Sequence, residues 1–326
     1  MNAKLILNHD GSFQVNNVDQ LSYTYFPLCN DLGLKGSITP SLNGSLNIDQ
    51  NSFFLLPTSN EDSHNSFMNR NVYFRVNDEF TWSITGNTPK QMLTPDKVTL
   101  EADFLIHKIT RKQQLFDAEI ESFIGKDDTV EYHKVILTNT SSKPLTLKPV
   151  LNVPMYSRSA DNLRDHRHVS ALLNKLTLHK TGMTNQPTFL FDERGHHLNQ
   201  NRYDIQYLTH DTILKNYWPL LEEFIGEGQS LLTPSVVKNE RQNTYKPGDT
   251  FTGYEMTGGF EFNEISVEPN ESFTLYFALG INSKLNQSSL TEEMYEEQKV
   301  QAKLYWTNLT NQLETSIQDD AYSAWL

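Results

Sequence analysis

Residues 157–168 read Ser-Arg-Ser-Ala-Asp-Asn-Leu-Arg-Asp-His-Arg-His and directly follow the apolar, strand-like run 145–156. Arg158, Arg164 and Arg167 offer planar forks suited to phosphate, sugar hydroxyls or carboxylates, while Asp161, Asn162 and Asp165 can orient those forks or accept from hydroxyls. His166 and His168, two apart on an extended backbone, point the same way and have Asp161 or Asp165 at hand as a further metal ligand. No spacing specifies that third ligand, so a hydrogen-bonded pair without metal is expected. The segment also has a purely structural use, in which arginines and aspartates pair among themselves to hold a long connection across packed sheets. Both uses stand on the residues alone. Arg164 and Arg167 are expected in the structural role and Arg158, nearest the strand end, is expected to face a pocket.

Other chemistry-bearing residues are less concentrated. Glu61, Asp62, His64 and Arg70 lie in a Ser- and Asn-rich stretch that reads equally as an interface loop or a solvated turn. Trp82 and Trp218 can stack on sugar rings, but aromatic residues in strands more often belong to the core. Asp192, Glu193 and Arg194 read as a turn after a strand, and Glu222, Glu223 and Glu227 as a solvated loop around Gly226.

These residues are positioned by a chain that reads as all-β. The runs 71–76, 80–85, 98–105, 115–124, 130–137, 145–153, 171–178, 188–191, 203–208, 260–267 and 272–279 are short and rich in aromatic or branched residues, and they are bounded by Gly, Pro, Asn or Asp. Residues 139–144 and 268–271 carry turn chemistry and read as hairpin-type connections, so antiparallel pairing follows. So many strands over one continuous stretch predict two large sheets packed face to face. The pattern changes near residue 285. Ser289-Leu290-Thr291-Glu292 reads as a capping box with Ser289 as N-cap, followed by an apolar stripe of Leu290, Met294, Leu304, Leu309, Leu313 and Ile317. A phase slip between Leu304 and Leu309 predicts a kink or two successive helices. Residues 1–284 are thus expected to form the β domain and 285–326 a helical linker; the ending in Trp325-Leu326, directly after helix, is expected of a chain cut at a domain boundary.

Composition narrows the partners. The 27 Lys plus Arg against 40 Asp plus Glu give a formal charge of -13, which argues against a general grip on nucleic acid or anionic membrane. No window approaches the roughly 18 apolar residues of a membrane span, and Met1 to Asp10 lack the pattern of a signal peptide. Cys29 is the single cysteine and cannot form a disulfide within the chain. The expectation is a cytoplasmic protein.

Several stretches resemble a known family. Tyr25-Phe26-Pro27-Leu28-Cys29-Asn30, Phe53-Phe54-Leu55-Leu56-Pro57, Glu61-Asp62-Ser63-His64-Asn65-Ser66 with Arg70-Asn71, Trp82-Ser83-Ile84-Thr85-Gly86-Asn87, residues 157–168, Phe191-Asp192-Glu193-Arg194-Gly195, Glu223-Phe224-Ile225-Gly226-Glu227-Gly228 and Gly253-Tyr254-Glu255 with Gly258-Gly259 are similar to the N-terminal part of bacterial 1,2-β-oligoglucan phosphorylases. Those are members of the cellobiose phosphorylase-like family of inverting glycoside phosphorylases, formerly glycosyltransferase family 36. The resemblance implies a β-supersandwich of the galactose mutarotase type, a helical linker, an (α/α)6 barrel and a small C-terminal β domain, in a homodimer. This chain matches the first two.

In such enzymes phosphate attacks the anomeric carbon while one carboxylic acid on the barrel protonates the glycosidic oxygen, so phosphate takes the place of the second carboxylate and water of an inverting hydrolase. The resemblance therefore implies a non-catalytic domain that packs on its own barrel and helps to wall a pocket for a β-linked glucooligosaccharide, with inorganic phosphate as co-substrate and no other cofactor. Two other readings remain. A stand-alone mutarotase-type epimerase needs a histidine pair and a carboxylate to converge, here His166, His168 and Glu255. A free carbohydrate-binding protein needs a concave face with exposed tryptophans.

Overall fold

The structure, a computed structural model, describes residues 4–18, 25–59, 67–163, 167–192, 195–238, 241–286, 288–312 and 317–325. Alternation of apolar and polar residues builds two facing sheets. The larger has eleven strands in the spatial order Lys4–Leu7, Phe13–Asn16, Lys97–Asp103, Ile106–Lys112, Phe116–Ile124, Val130–Asn139, Ser272–Ile281, Tyr203–Leu208, Gly182–Asn185, Lys175–His179 and Thr250–Thr252. The smaller runs Leu214–Leu220, Met256–Phe262, Leu145–Met155, Asn71–Val76 and Phe80–Ser83, with Ile265–Val267 also paired to Leu145–Met155. Neighbouring strands pair antiparallel, with Ile120 opposite Val135 in the larger sheet and Leu151 opposite Phe260 in the smaller. Ile120, Val135, Leu275 and Phe277 of the larger sheet meet Val72, Phe74, Leu147, Leu151 and Phe260 of the smaller in one buried core, so the all-β, two-sheet antiparallel expectation holds.

The two turns expected to make hairpins do something else. Val130–Asn139 pairs within the larger sheet and Leu145–Met155 within the smaller, so residues 139–144 carry the chain from one sheet to the other. Residues 268–271 make the same crossing in the opposite direction. Asn139 clasps the two corners together: its N–H donates to the Glu271 carbonyl at 3.0 Å, and its side-chain amide donates to the Lys143 and Val267 carbonyls at 2.8 Å each. Turn chemistry is the same whether the next strand folds back or crosses, which is why composition alone points to hairpins.

The C-terminal helical segment is present, and of its expected apolar stripe Leu290 and Met294 dock on the sheet while Leu304, Leu309 and Ile317 are exposed. Two successive helices are described there, Glu292–Thr310 and the short Asp320–Trp325; the first runs unbroken through residues 304–309, so the break falls later in the chain than the phase slip indicates. Its N-cap is Thr291, whose hydroxyl accepts from the Met294 N–H at 3.1 Å, because Leu290 is held on the sheet by its N–H to Gln206 Oε1 at 2.8 Å. Tyr295 and Ala302 face the sheet with Leu290, against Phe123, Tyr132 and Tyr276, whereas Leu304 and Leu309 are 50% and 41% exposed. Leu313 of the expected stripe lies outside the described residues. Long polar side chains complete the docking: Lys299 reaches Glu121 at 2.7 Å and Lys303 pairs with Asp103.

Two smaller units complete the sandwich. A three-stranded sheet, Phe26–Cys29, Lys35–Ile38 and Leu46–Asn47, lies against the inner face of the larger sheet. Its turn requires Gly44, at φ +124°, since a Cβ there would sit 2.1 Å from the Ser37 carbonyl oxygen. The hairpin Phe189–Asp192 with Gly195–Leu198 touches the short helical turn Ala160–Leu163.

Candidate functional site

The polar segment begins where the central strand of the smaller sheet ends. Ser157 adopts φ 54°, an uncommon conformation for a residue with a side chain, and turns the chain away from strand geometry. Arg158 then bridges to Phe53 through backbone hydrogen bonds of 3.2 and 3.0 Å, and the Ala160 N–H donates to the Gln50 carbonyl at 3.0 Å. Residues 50–54 thus clamp the start of the segment.

Arg158 turns inward, 3% exposed. Its Nη2 donates to Glu255 Oε2 at 2.6 Å, its Nη1 donates to Ser170 Oγ at 3.2 Å, and its guanidinium lies 4.5 Å from the centre of the Tyr156 ring. Asp161 is half-buried, with its N–H donating to Ser159 Oγ at 3.3 Å. Asn162 is buried, and its Oδ1 and the Ser157 Oγ have no hydrogen-bond partner among the described residues. Arg164, Asp165 and His166 lie outside the described residues, and Arg167 and His168 open the short helix Arg167–Ala171. Glu61, Asp62 and His64, and likewise Glu193 and Arg194, also lie outside them.

Arg158 thus belongs to an inward network, where the sequence points it toward a pocket. Replacing it with alanine will remove charge-assisted hydrogen bonds between a buried guanidinium and the partly exposed Glu255 and buried Ser170, and lower the unfolding free energy by about 2 kcal/mol, such bonds being worth roughly 1.5 to 3 kcal/mol. Urea denaturation checks this. An unchanged midpoint would show that Glu255 and Ser170 do not depend on Arg158.

Trp82 and Trp218 are 1% and 2% exposed, their indole N–H groups donating to Asp96 Oδ2 at 2.9 Å and Glu261 Oε2 at 3.1 Å. They are core residues, not sugar platforms. Glu223 accepts from the Tyr245 hydroxyl at 3.1 Å. Among the described residues no three His, Cys, Asp or Glu side chains come together to hold a metal.

A tight gathering of ionisable groups is one that strand patterning hides. Glu131 and His133 share the inward face of Val130–Asn139 with Val135 and Leu137, and His133 stands opposite Ser122, which in turn stands opposite His107. Arg70 clamps Glu131 with Nε to Oε1 at 2.5 Å and Nη2 to Oε2 at 2.7 Å, and donates onward to the Leu42, Gly44 and Ser45 carbonyls at 3.2 to 3.4 Å. An ionised Glu131 only accepts, so His133 Nε2–H donates to it at 2.7 Å, which leaves Nδ1 to accept from Ser122 Oγ at 2.8 Å. Burial alone would raise the Glu131 carboxyl, but the Arg70 guanidinium and His133 ring outweigh it and hold it at about 2. Burial pushes His107 down to about 3, against a partial pull from Glu131, and also pushes His133 down.

Here a histidine pair and a carboxylate do converge, but Arg70, Glu131 and His133 are wholly buried and His107 is 4% exposed, so no sugar can reach them. The network instead ties the three-stranded sheet to the larger one. The sequence signal was the parity of positions 131 and 133 with the apolar 135 and 137.

Residues 49–299 match the glycosyl hydrolase 94 supersandwich domain. The chain belongs to that family. No curated protein matches the sequence. Among solved structures, the supersandwich resembles a bacterial glucoamylase complexed with acarbose (9% identity, TM-score 0.49, covering 89% of this chain and 37% of that one). It also resembles a protein described as a kojibiose phosphorylase from the human microbiome (10%, 0.32, 98% and 34%). A third is described as an aldose 1-epimerase from Escherichia coli K12 (9%, 0.37, 79% and 98%). The glycosyl hydrolase 94 chain therefore spans about a third of the length of the first two. No helix among its described residues is long and apolar enough to cross a membrane.

Proposed function

We propose that this chain is the non-catalytic N-terminal domain of a cytoplasmic inverting glycoside phosphorylase. The enzyme cleaves β-1,2-linked glucooligosaccharides with inorganic phosphate, releasing glucose 1-phosphate, and acts as a homodimer. The family match over residues 49–299 carries this reading. The general acid belongs to a barrel outside this chain, and the supersandwich contributes a packing surface and part of the saccharide pocket.

The end of the sandwich that bears residues 157–168 suits that task. Leu172, Phe189, Leu198 and Tyr254 are 64%, 43%, 74% and 44% exposed on elements adjoining the segment, an apolar surface of the kind that covers another domain. The unpartnered Asn162 Oδ1 and Ser157 Oγ lie within the segment itself, and a polar atom buried without a partner is costly unless something else satisfies it.

The test is phosphorolysis. The purified chain incubated with phosphate and β-1,2-, β-1,3- or β-1,4-linked glucose oligomers will release no glucose 1-phosphate, whereas the same domain joined to a family barrel will release it from the β-1,2 oligomers. Turnover by the chain alone would overturn the domain reading. Turnover of a different linkage by the joined protein would overturn the substrate assignment only.

A further inference from the structure

On the outer face of the smaller sheet, far in sequence from residues 157–168, a groove of about 260 Å³ lies between the hairpin Asn71–Val76 with Phe80–Ser83, the start of the short helix Pro89–Leu93 and the helix Ser235–Lys238. Three cations, Arg75, Lys90 and Lys238, line it against one carboxylate, Glu79, in a chain whose formal charge is -13. Phe80 and Val237 supply apolar wall.

Pairing rules make this concentration of charge unusual. Arg75 and Lys148 stand directly opposite on neighbouring strands, an unfavourable like-charge pair. Asp78 lies between them, accepting from Lys148 at 2.8 Å with Arg75 Nε 3.9 Å away, and its carbonyl accepts from Arg75 Nη2 at 2.5 Å. Neither Lys90 nor Lys238 has an ion-pair partner among the described residues. Lys90 sits 3.6 Å over the centre of the Phe80 ring, and Lys238 donates to the neutral Gln229 at 3.1 Å. Positive charge converging on a concave, partly apolar wall favours an anion with a carbon body.

We propose that this groove binds a phosphate ester the size of a sugar phosphate, with the phosphoryl group between Arg75, Lys90 and Lys238 and the carbon skeleton against Phe80 and Val237. A dianion answers the three cations, and the Arg75 donors that Asp78 does not take, together with two ammonium groups, are a set that recognises phosphate. The assignment rests on this groove alone and is independent of the phosphorylase reading.

Calorimetric titration of the full chain with glucose 1-phosphate, glucose 6-phosphate, inorganic phosphate and glucose decides it. Both esters will bind one to one and weaken with added salt, inorganic phosphate will bind less tightly, and glucose will not bind. The Lys90→Ala/Lys238→Ala double variant will lose about tenfold or more in ester affinity with its melting temperature within a few degrees of the parent, since the two lysines give up only a ring contact and one hydrogen bond to a neutral amide. No binding by either ester, glucose binding as tightly as the esters, inorganic phosphate binding as tightly as the esters, or a double variant that binds like the parent would each overturn the proposal.

Discussion

Lowering the pH from 6.5 to 4 will cost the protein about 3 kcal/mol of stability through His107 alone, at roughly 1.36 kcal/mol per pH unit for one proton. Burial holds the folded imidazole down at about 3, against 6.5 for an unperturbed ring. Between those values the unfolded chain binds a proton that the folded chain refuses, so the stabilisation is complete above 6.5 and is lost as the pH falls. His133 is also pushed down by burial and acts in the same direction. Glu131 extends the loss: its carboxyl is held at about 2, against 4.5, so its contribution is present above 4.5 and disappears toward 2. Against a domain stability of about 5 to 15 kcal/mol, the protein should approach half-unfolding near pH 4 in mild denaturant.

His107→Phe isolates the cause. The ring packs edge-on to Phe26 at 4.7 Å and its Nδ1 is buried without a hydrogen-bond partner among the described residues, so phenylalanine keeps the shape and removes the titration. Urea midpoints measured from pH 7 to pH 4 will fall less steeply in the variant by about one proton. Parallel slopes in the two proteins would show that His107 titrates normally in the fold.

These residues mark the limit of what sequence patterning reveals. Strands 71–76 and 203–208 coincide with the structure because aromatic and branched residues there are flanked by clear breakers. The strand read as 260–267 is two, Met256–Phe262 and Ile265–Val267, split by a break at Asn263 and Glu264. Strands such as Gly182–Asn185 and Thr250–Thr252 escape because they draw their stability from neighbours in the sheet and not from their own composition. The long helix was legible as a helix, but not its buried face: the sheet below offers tyrosines and charges, so Tyr295, Lys299 and Lys303 make the contacts that a leucine stripe suggests. In the polar segment the chemistry was legible and the partners were not, since Arg158 meets Glu255 across 97 positions of chain.

Arg70→Met will destabilise the fold more than Arg158→Ala does. It strips both charge-assisted bonds from Glu131, which is fully buried, and removes donors from the Leu42, Gly44 and Ser45 carbonyls. Breaking a buried pair by removing one partner costs roughly 3 to 5 kcal/mol, because the remaining carboxylate must stay charged in a dry site or take up a proton. Arg70→Met/Glu131→Leu removes both charges and should recover part of that loss, with the remainder reflecting the acceptor lost to His133. Because the guanidinium also pins the turn of the three-stranded sheet, amide exchange in residues 35–47 should quicken in the single variant more than in the core strand Val130–Asn139. A single variant within about 1 kcal/mol of the parent, or uniform quickening across the two sheets, would show that the turn is held by its apolar contacts through Leu42 and Leu46, and that the buried ion pair contributes little to joining the sheets.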